Sequence, residues 1–304
     1  MRKFRASVLA CLVVPAFAAL AVAQMPETPT YTSNPPTFAE LMQLRQDAEW
    51  FKKAFVDPKA ALKADPAKFR DMLGKNDFDM RTISQQDSPA LRLEMKKIII
   101  PKAKYDPFFQ VVLDIASVST QDRFLAVQSV ELLDDALKAY VAQYPVCASA
   151  SRAVLLQRLK DTRDEVKFAA IMGLALVKNA PGSNEVTQAL VAELQSKSEV
   201  VIDSDASALG ALGDVSAVRP LVERFLSLEA GNSTAVEPDY EAAAPNTPTP
   251  SNEPVNEAKL AIAVAVDKLA GLKIGFSGQL LRSEIMQKYA AIEKWWAENK
   301  DKYK

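Results

Sequence analysis

From Thr37 onward, apolar residues return every three or four positions, and no stretch sustains alternation between β-branched and polar residues. That period belongs to helices packed along one face, so the pattern predicts an all-α chain. Leu41, Leu44, Ala48, Phe51 and Phe55 form the first stripe, introduced by Thr37 and Glu40 at capping-box spacing. Asp57-Pro58 and Asp65-Pro66 announce two short helices, each with a side-chain acceptor and then a proline whose missing amide costs nothing. Gly74 is placed to end the second of these, and the polar stretch from Lys75 to Asp87 reads as a loop. Ser88-Pro89 opens a helix that must bend or stop near Pro101, and Asp106-Pro107 opens another, with Phe108, Val111, Val112 and Ile115 on its apolar side. A long helix is expected from Gln121 to Tyr144, with Phe124, Val127, Val130, Leu133 and Leu137 inward and Pro145 closing it. A partner helix over about 149–159 carries Val154, Leu155 and Leu159, so the two read as a hairpin.

The stretch from Thr162 to Leu228 adds a second period. Val166 and Val201 stand 35 residues apart at the start of two similar segments, a spacing typical of stacked helical repeats. The first copy carries Val166-Lys167, Ala170 and Gly173-Leu174-Ala175; the second carries Ala208-Leu209-Gly210 at the last of these places, followed by Leu212-Gly213-Asp214 and Ala217-Val218-Arg219-Pro220-Leu221. These residues resemble the HEAT repeat family, in particular its exported bacterial members. The resemblance implies a short α-solenoid of antiparallel helical hairpins, with a helical N-terminal region and a capping C-terminal helix. Two positions depart from the pattern. Ile202 stands where the family has arginine, and Asp205 where it has the core alanine. A buried carboxylate without a partner costs several kcal/mol. Asp205 is therefore expected to be hydrogen-bonded, or to sit near a helix edge in a degenerate copy. A cation site using Asp203 and Asp205 is the functional alternative.

Residues 229–254 contain five prolines among Ser, Thr, Asn and Ala, too few large apolar residues to fold. Helical patterning resumes at Val255. Leu269-Ala270-Gly271 and Ile274-Gly275-Phe276 resemble the loop that closes many HEAT arrays, and Trp295-Trp296 suggests a terminal capping helix over 278–300. As a cap, one of these tryptophans would be partly buried; as a docking anchor, it would be exposed.

Composition narrows the class. With 49% hydrophobic and 25% charged residues among 304, the chain has material for a sizeable core. Arg2, Lys3 and Arg5 precede an uncharged apolar run ending in Ala21-Val22-Ala23, which predicts a signal peptide cleaved before Gln24 and a periplasmic or secreted protein. Val8-Leu9-Ala10-Cys11 also fits a lipoprotein box, but only about four apolar residues precede Cys11, too short a hydrophobic region. Cleavage changes 37 cations against 38 anions to 34 against 38. That mild acidity offers no footprint for nucleic acid. It also leaves Cys147 as the only cysteine, expected as a small buried hydrophobe. The chain has no histidine, which removes Ser-His-Asp and Cys-His systems and histidine-ligated metals. No catalytic residue, cofactor or metal ligand is predicted.

The organisation expected is a signal peptide (1–23), a disordered leader (24–36), a helical N-terminal region (37–118), HEAT-like repeats (119–228), a disordered proline-rich insertion (229–254), and a last hairpin with C-terminal cap (255–304). The resemblance implies a non-enzymatic exported scaffold or adaptor that binds a protein or peptide, with no stable membrane anchor after cleavage. The second helices would supply the contact face, with Glu185, Gln188, Glu193, Arg219, Glu223 and Arg224 as candidates by position. The alternatives are a structural envelope component that tethers partners through the proline-rich insertion, and an enzyme using carboxylates without histidine.

Overall fold

A computed structural model describes residues 37–73, 85–142, 145–177, 183–228, 255–276 and 280–303. The predicted signal peptide, the lipobox cysteine Cys11, the leader, Gly74, most of the predicted 75–87 loop and the proline-rich insertion lie outside these residues. The described residues are helices joined by short turns, without a strand among them. The chain divides into two compact units at Ala150 and Ser151.

The first unit begins with α1 (Phe38–Val56), and its capping box forms as predicted: Glu40 N donates to Thr37 Oγ1 and Thr37 N to Glu40 Oε2. Asp57 and Asp65 cap α2 (Pro58–Ala64) and α3 (Pro66–Met72) through the amides of Ala60 and Lys68. α4 (Ser88–Lys102) ends one residue beyond Pro101. Its cap is Asp87 rather than Ser88, because the carboxylate reaches the Ala90 amide. α5 (Asp106–Ala116) is capped by Tyr105 with no side-chain bond, so Asp106 lies inside its first turn. α6 (Arg123–Tyr140) is shorter than predicted and starts after Asp122, whose carboxylate accepts the Leu125 amide.

Phe51, Phe55, Phe69, Phe108, Leu91, Met95 and Leu132 build the first core, with the Phe51 and Phe108 rings 6.0 Å apart. Phe124 does not join them; it is 62% exposed. Leu125, Val130, Leu133 and Leu137 face inward, while Phe124 lies on the outer side of the helix and Val127 is half-buried. Arg92 ties three helices together. Its guanidinium donates to Phe55 O and Val56 O at the end of α1, to Gln128 Oε1 on α6 and to the capping residue Asp122. It is only 2% exposed, and these acceptors offset the cost of burying the charge.

Pro145 opens α7 (Pro145–Arg158) instead of closing the preceding helix. Proline fits the first helical turn, where an amide would have no partner. Cys147 on this helix is half-buried rather than fully buried.

The second unit contains the predicted repeats. α8 (Asp164–Leu176), α10 (Glu199–Leu212) and α12 (Glu257–Ala270) lie side by side, with α10 in the middle. α9 (Ser183–Glu193) packs on α10, and α11 (Val218–Ser227) on α12. α13 (Arg282–Asn299) follows, within the range predicted for the cap. Small residues permit the close stacking. A methyl on Gly210 would lie 3.3 Å from Ala265 Cβ, and one on Gly173 would lie 2.8 Å from Leu155 Cδ2. α10 and α12 both end on a left-handed glycine, Gly213 and Gly271, with φ 79° and 65°. Pro220 is the third residue of α11, where it displaces no intrahelical hydrogen bond.

The unit is closed by Ile285, Tyr289 and Ile292 of α13, all buried. Tyr289 meets Phe225 edge-on at 5.1 Å. Trp295 and Trp296 are both half-buried and pack with each other and with Tyr303. Lys259 is 5% exposed, donates to Leu228 O at 2.7 Å, and stands 4.5 Å from the Phe225 ring centre. That bond joins the residue where the described chain leaves α11 to the first turn of α12, across the 229–254 insertion.

Candidate functional site

Among the described residues no group of three or more Cys, Asp or Glu is arranged to hold a metal ion. No described helix is long and apolar enough to cross a membrane. What the fold offers is surface.

Among the described residues, the layer formed by α8, α10 and α12 has one side open. α9 and α11 cover the other side through Val186, Leu190 and Leu194 and through Leu221, Val222 and Phe225. On the open side, α8 presents Phe168 and Met172, exposed by 43% and 37%. At the 35-residue repeat offset these positions become Asp203 and Ser207 on α10, half-buried and exposed respectively. α12 adds Val264, 42% exposed. The same face therefore carries large apolar residues on its two outer helices, while the middle helix presents Val200, 58% exposed, at its start and then the smaller Asp203 and Ser207. At the N-terminal end of the layer stand Glu165, Glu199 and Glu257, one in the first turn of each helix. Burial raises the Asp203 carboxyl above its ordinary range, and the neighbouring Glu257 charge raises it further. Glu199 accepts a long 3.4 Å bond from Asn256 Nδ2.

The second-helix residues singled out by sequence lie elsewhere. Glu185 and Gln188 are exposed on α9, with Glu185 3.5 Å from the Arg152 guanidinium. Arg219 and Glu223 pair with each other at 2.8 Å on the outer surface of α11. Glu193 and Arg224 are engaged internally: Glu193 pairs with Lys167 at 2.5 Å, and Arg224 donates to Ser196 O. They are not assembled into one cluster by these contacts.

Asp205 is fully buried in the middle of α10. Neither predicted accommodation occurs, because it is not at a helix edge and neither carboxylate oxygen meets a hydrogen-bond donor among the described residues. Loss of water pushes its pKa up to about 9; the Glu193 charge adds to the rise and Lys167 opposes it. The side chain is therefore protonated at neutral pH, buried beside a half-buried ion pair. Asp203 points to the open face two residues earlier, so the two do not form a cation site.

Two grooves lie in the first unit. One of about 730 Å³ is bordered by Gln43, Asp47, Lys68, Asp71, Ile98 and Lys102. The other, about 930 Å³, runs between α4 and α6 along Leu93, Ile100 and Pro101. Its lysines are all paired: Lys96 with Asp135, Lys97 with Glu94, and Lys138 with Asp134 and Asp135.

Residues 152–231 match the sequence model of the family described as HEAT repeats, which covers the hairpins built from α8 to α11. That segment is thus similar to HEAT repeats, a scaffold that generally binds protein partners. No curated protein matches the sequence. A solved crystal structure of an engineered protein is 19% identical over 76% of this chain and 90% of its own, with a TM-score of 0.38, too low to support any argument.

Proposed function

We propose that this protein is a non-enzymatic, exported scaffold or adaptor that captures a protein or peptide partner on its helical repeats. The observation supporting this reading is the side-by-side layer of α8, α10 and α12, which among the described residues leaves one helical face unpartnered, with α8 and α10 inside the segment that matches HEAT repeats. A continuous wall of parallel helices suits an extended ligand, because each repeat adds a similar strip of contact. Export rests on the basic, then apolar, then small-residue N-terminus ending at Ala23. The absence of histidine from the sequence supports a binding role over acid–base chemistry.

The test is affinity capture from the native cell envelope with the chain beginning at Gln24, followed by identification of what co-purifies. A saturable protein partner supports the proposal. Turnover of an envelope substrate with no stable partner would overturn it.

A further inference from the structure

We infer that the open face of α8, α10 and α12 docks a basic amphipathic helix of a partner protein, its apolar side on Phe168, Met172 and Val264 and its cations at Asp203 and Glu257. This deepens the scaffold reading and rests on it. The argument begins with a mismatch between two kinds of position. A first-turn carboxylate is explained by the helix N-terminus, which favours negative charge, so Glu165, Glu199 and Glu257 have a local reason to be there. Asp203 has none. It sits in the second turn of α10, half-buried, close enough to Glu257 for that charge to disfavour its ionisation, and no cation among the described residues pairs with it.

The fold elsewhere treats its charges differently. Lys52 meets Asp114, Lys96 meets Asp135, Lys167 meets Glu193, and Lys259 is held by a carbonyl and two rings. On the open face, Asp203 and Glu257 meet no such partner among the described residues. Beside them Phe168 and Met172, one helical turn apart, remain exposed on the neighbouring helix. The small Ser207, at the repeat position of Met172, leaves the middle of the face low. Packed helices lie about 8–10 Å apart, so a ligand helix seated over α10 reaches α8 on one flank and α12 on the other. Its chemistry follows from what it must meet. It needs large apolar side chains at three- and four-residue spacing for Phe168 and Met172, and lysine or arginine on the flank for the two carboxylates. The proline-rich 229–254 segment is a poor occupant, since it carries five carboxylates and no cation.

The experiment uses the chain beginning at Gln24 and a fluorescent helical peptide of leucine and lysine, with a leucine–glutamate peptide of the same pattern as comparison. The lysine peptide is expected to bind and the glutamate peptide not. Glu257→Gln and Asp203→Asn should each weaken binding, and the double change Phe168→Ser with Met172→Ser should weaken it by at least about tenfold, the loss typical of a central contact. Arg219→Ala on α11 should leave it unchanged. Glu257→Lys, at an exposed position, should admit the glutamate peptide. Binding that ignores the open-face changes but responds to Arg219→Ala overturns the proposal, as does failure of the lysine peptide to bind at all. A concentration-dependent dimer lost in the Phe168→Ser, Met172→Ser chain also overturns it, since the occupant is then a second copy. The scaffold reading stands apart from these outcomes: a captured partner that is indifferent to the open-face variants refutes this docking mode alone.

Discussion

Replacing Asp205 with alanine should stabilise the protein at neutral pH and do little in acid. The carboxyl titrates at 3.8 when solvated and at about 9 in the fold, where neither oxygen has a donor. At about pH 7 the unfolded chain has released this proton and the folded chain has kept it, so folding takes up a proton. Stability from this residue is therefore greatest below 3.8, falls as pH rises, and levels off above the folded value. One pKa unit corresponds to about 1.4 kcal/mol, which makes the cost about 4 kcal/mol at about pH 7 and about 1 kcal/mol at about pH 4.5. Against a total stability of about 5–15 kcal/mol this is a large term. Alanine is also the residue the repeat has at this position, so the small void it leaves subtracts only about 1 kcal/mol. Asp205→Ala should therefore gain about 3 kcal/mol near pH 7 and about nothing near pH 4.5. Urea unfolding followed by far-ultraviolet circular dichroism at both pH values gives the difference directly, and other carboxylates cancel in the comparison. A constant offset between variant and parent across that pH range, or a loss at pH 7, would refute the buried-proton account.

Further substitutions probe the packing. Arg92→Met should cost about 2–4 kcal/mol in urea unfolding, because it strips donors from Phe55 O, Val56 O and Asp122 at once. Gly210→Val should cost about 1–3 kcal/mol by pushing α10 from Ala265, whereas Ala211→Val on the exposed side should be nearly neutral in thermal melts. Tyr289→Ala should cost about 3–5 kcal/mol through its contact with Phe225, more than Trp295→Ala or Trp296→Ala. Tyr289→Phe should match or exceed the parent, since it removes a buried hydroxyl that has no partner among the described residues.

Local chemistry was the most legible part of this fold. Thr37, Asp57 and Asp65 act over three residues, so the sequence alone determines their caps. The 35-residue offset between Val166 and Val201 likewise needed only the chain itself, and both valines are buried. What failed depended on which side of a helix meets a neighbour. Phe124 was placed inward because three-residue steps from it reach Val127 and Val130, but such steps walk around a helix. The packed side is set by Leu125, Ser129 and Leu132, with Phe124 left in solvent. Arg92 was invisible for a related reason. Its acceptors are backbone carbonyls 36 and 37 residues earlier, which no side-chain pattern encodes. Asp205 was located correctly as the irregular position, yet its surroundings come from three helices and could not be read from one. For the candidate surface, the sequence directs attention to the second helices, because the exposure of Phe168 and Met172 depends on which side of α8 its neighbours cover.

The most direct test of the proposed docking face is hydrogen–deuterium exchange of the chain beginning at Gln24, alone and saturated with the leucine–lysine peptide. The account predicts slowed exchange in α8, α10 and the first turns of α12, with α9, α11 and residues 37–142 unchanged. Protection confined to α9 and α11, or to the first unit, would contradict it.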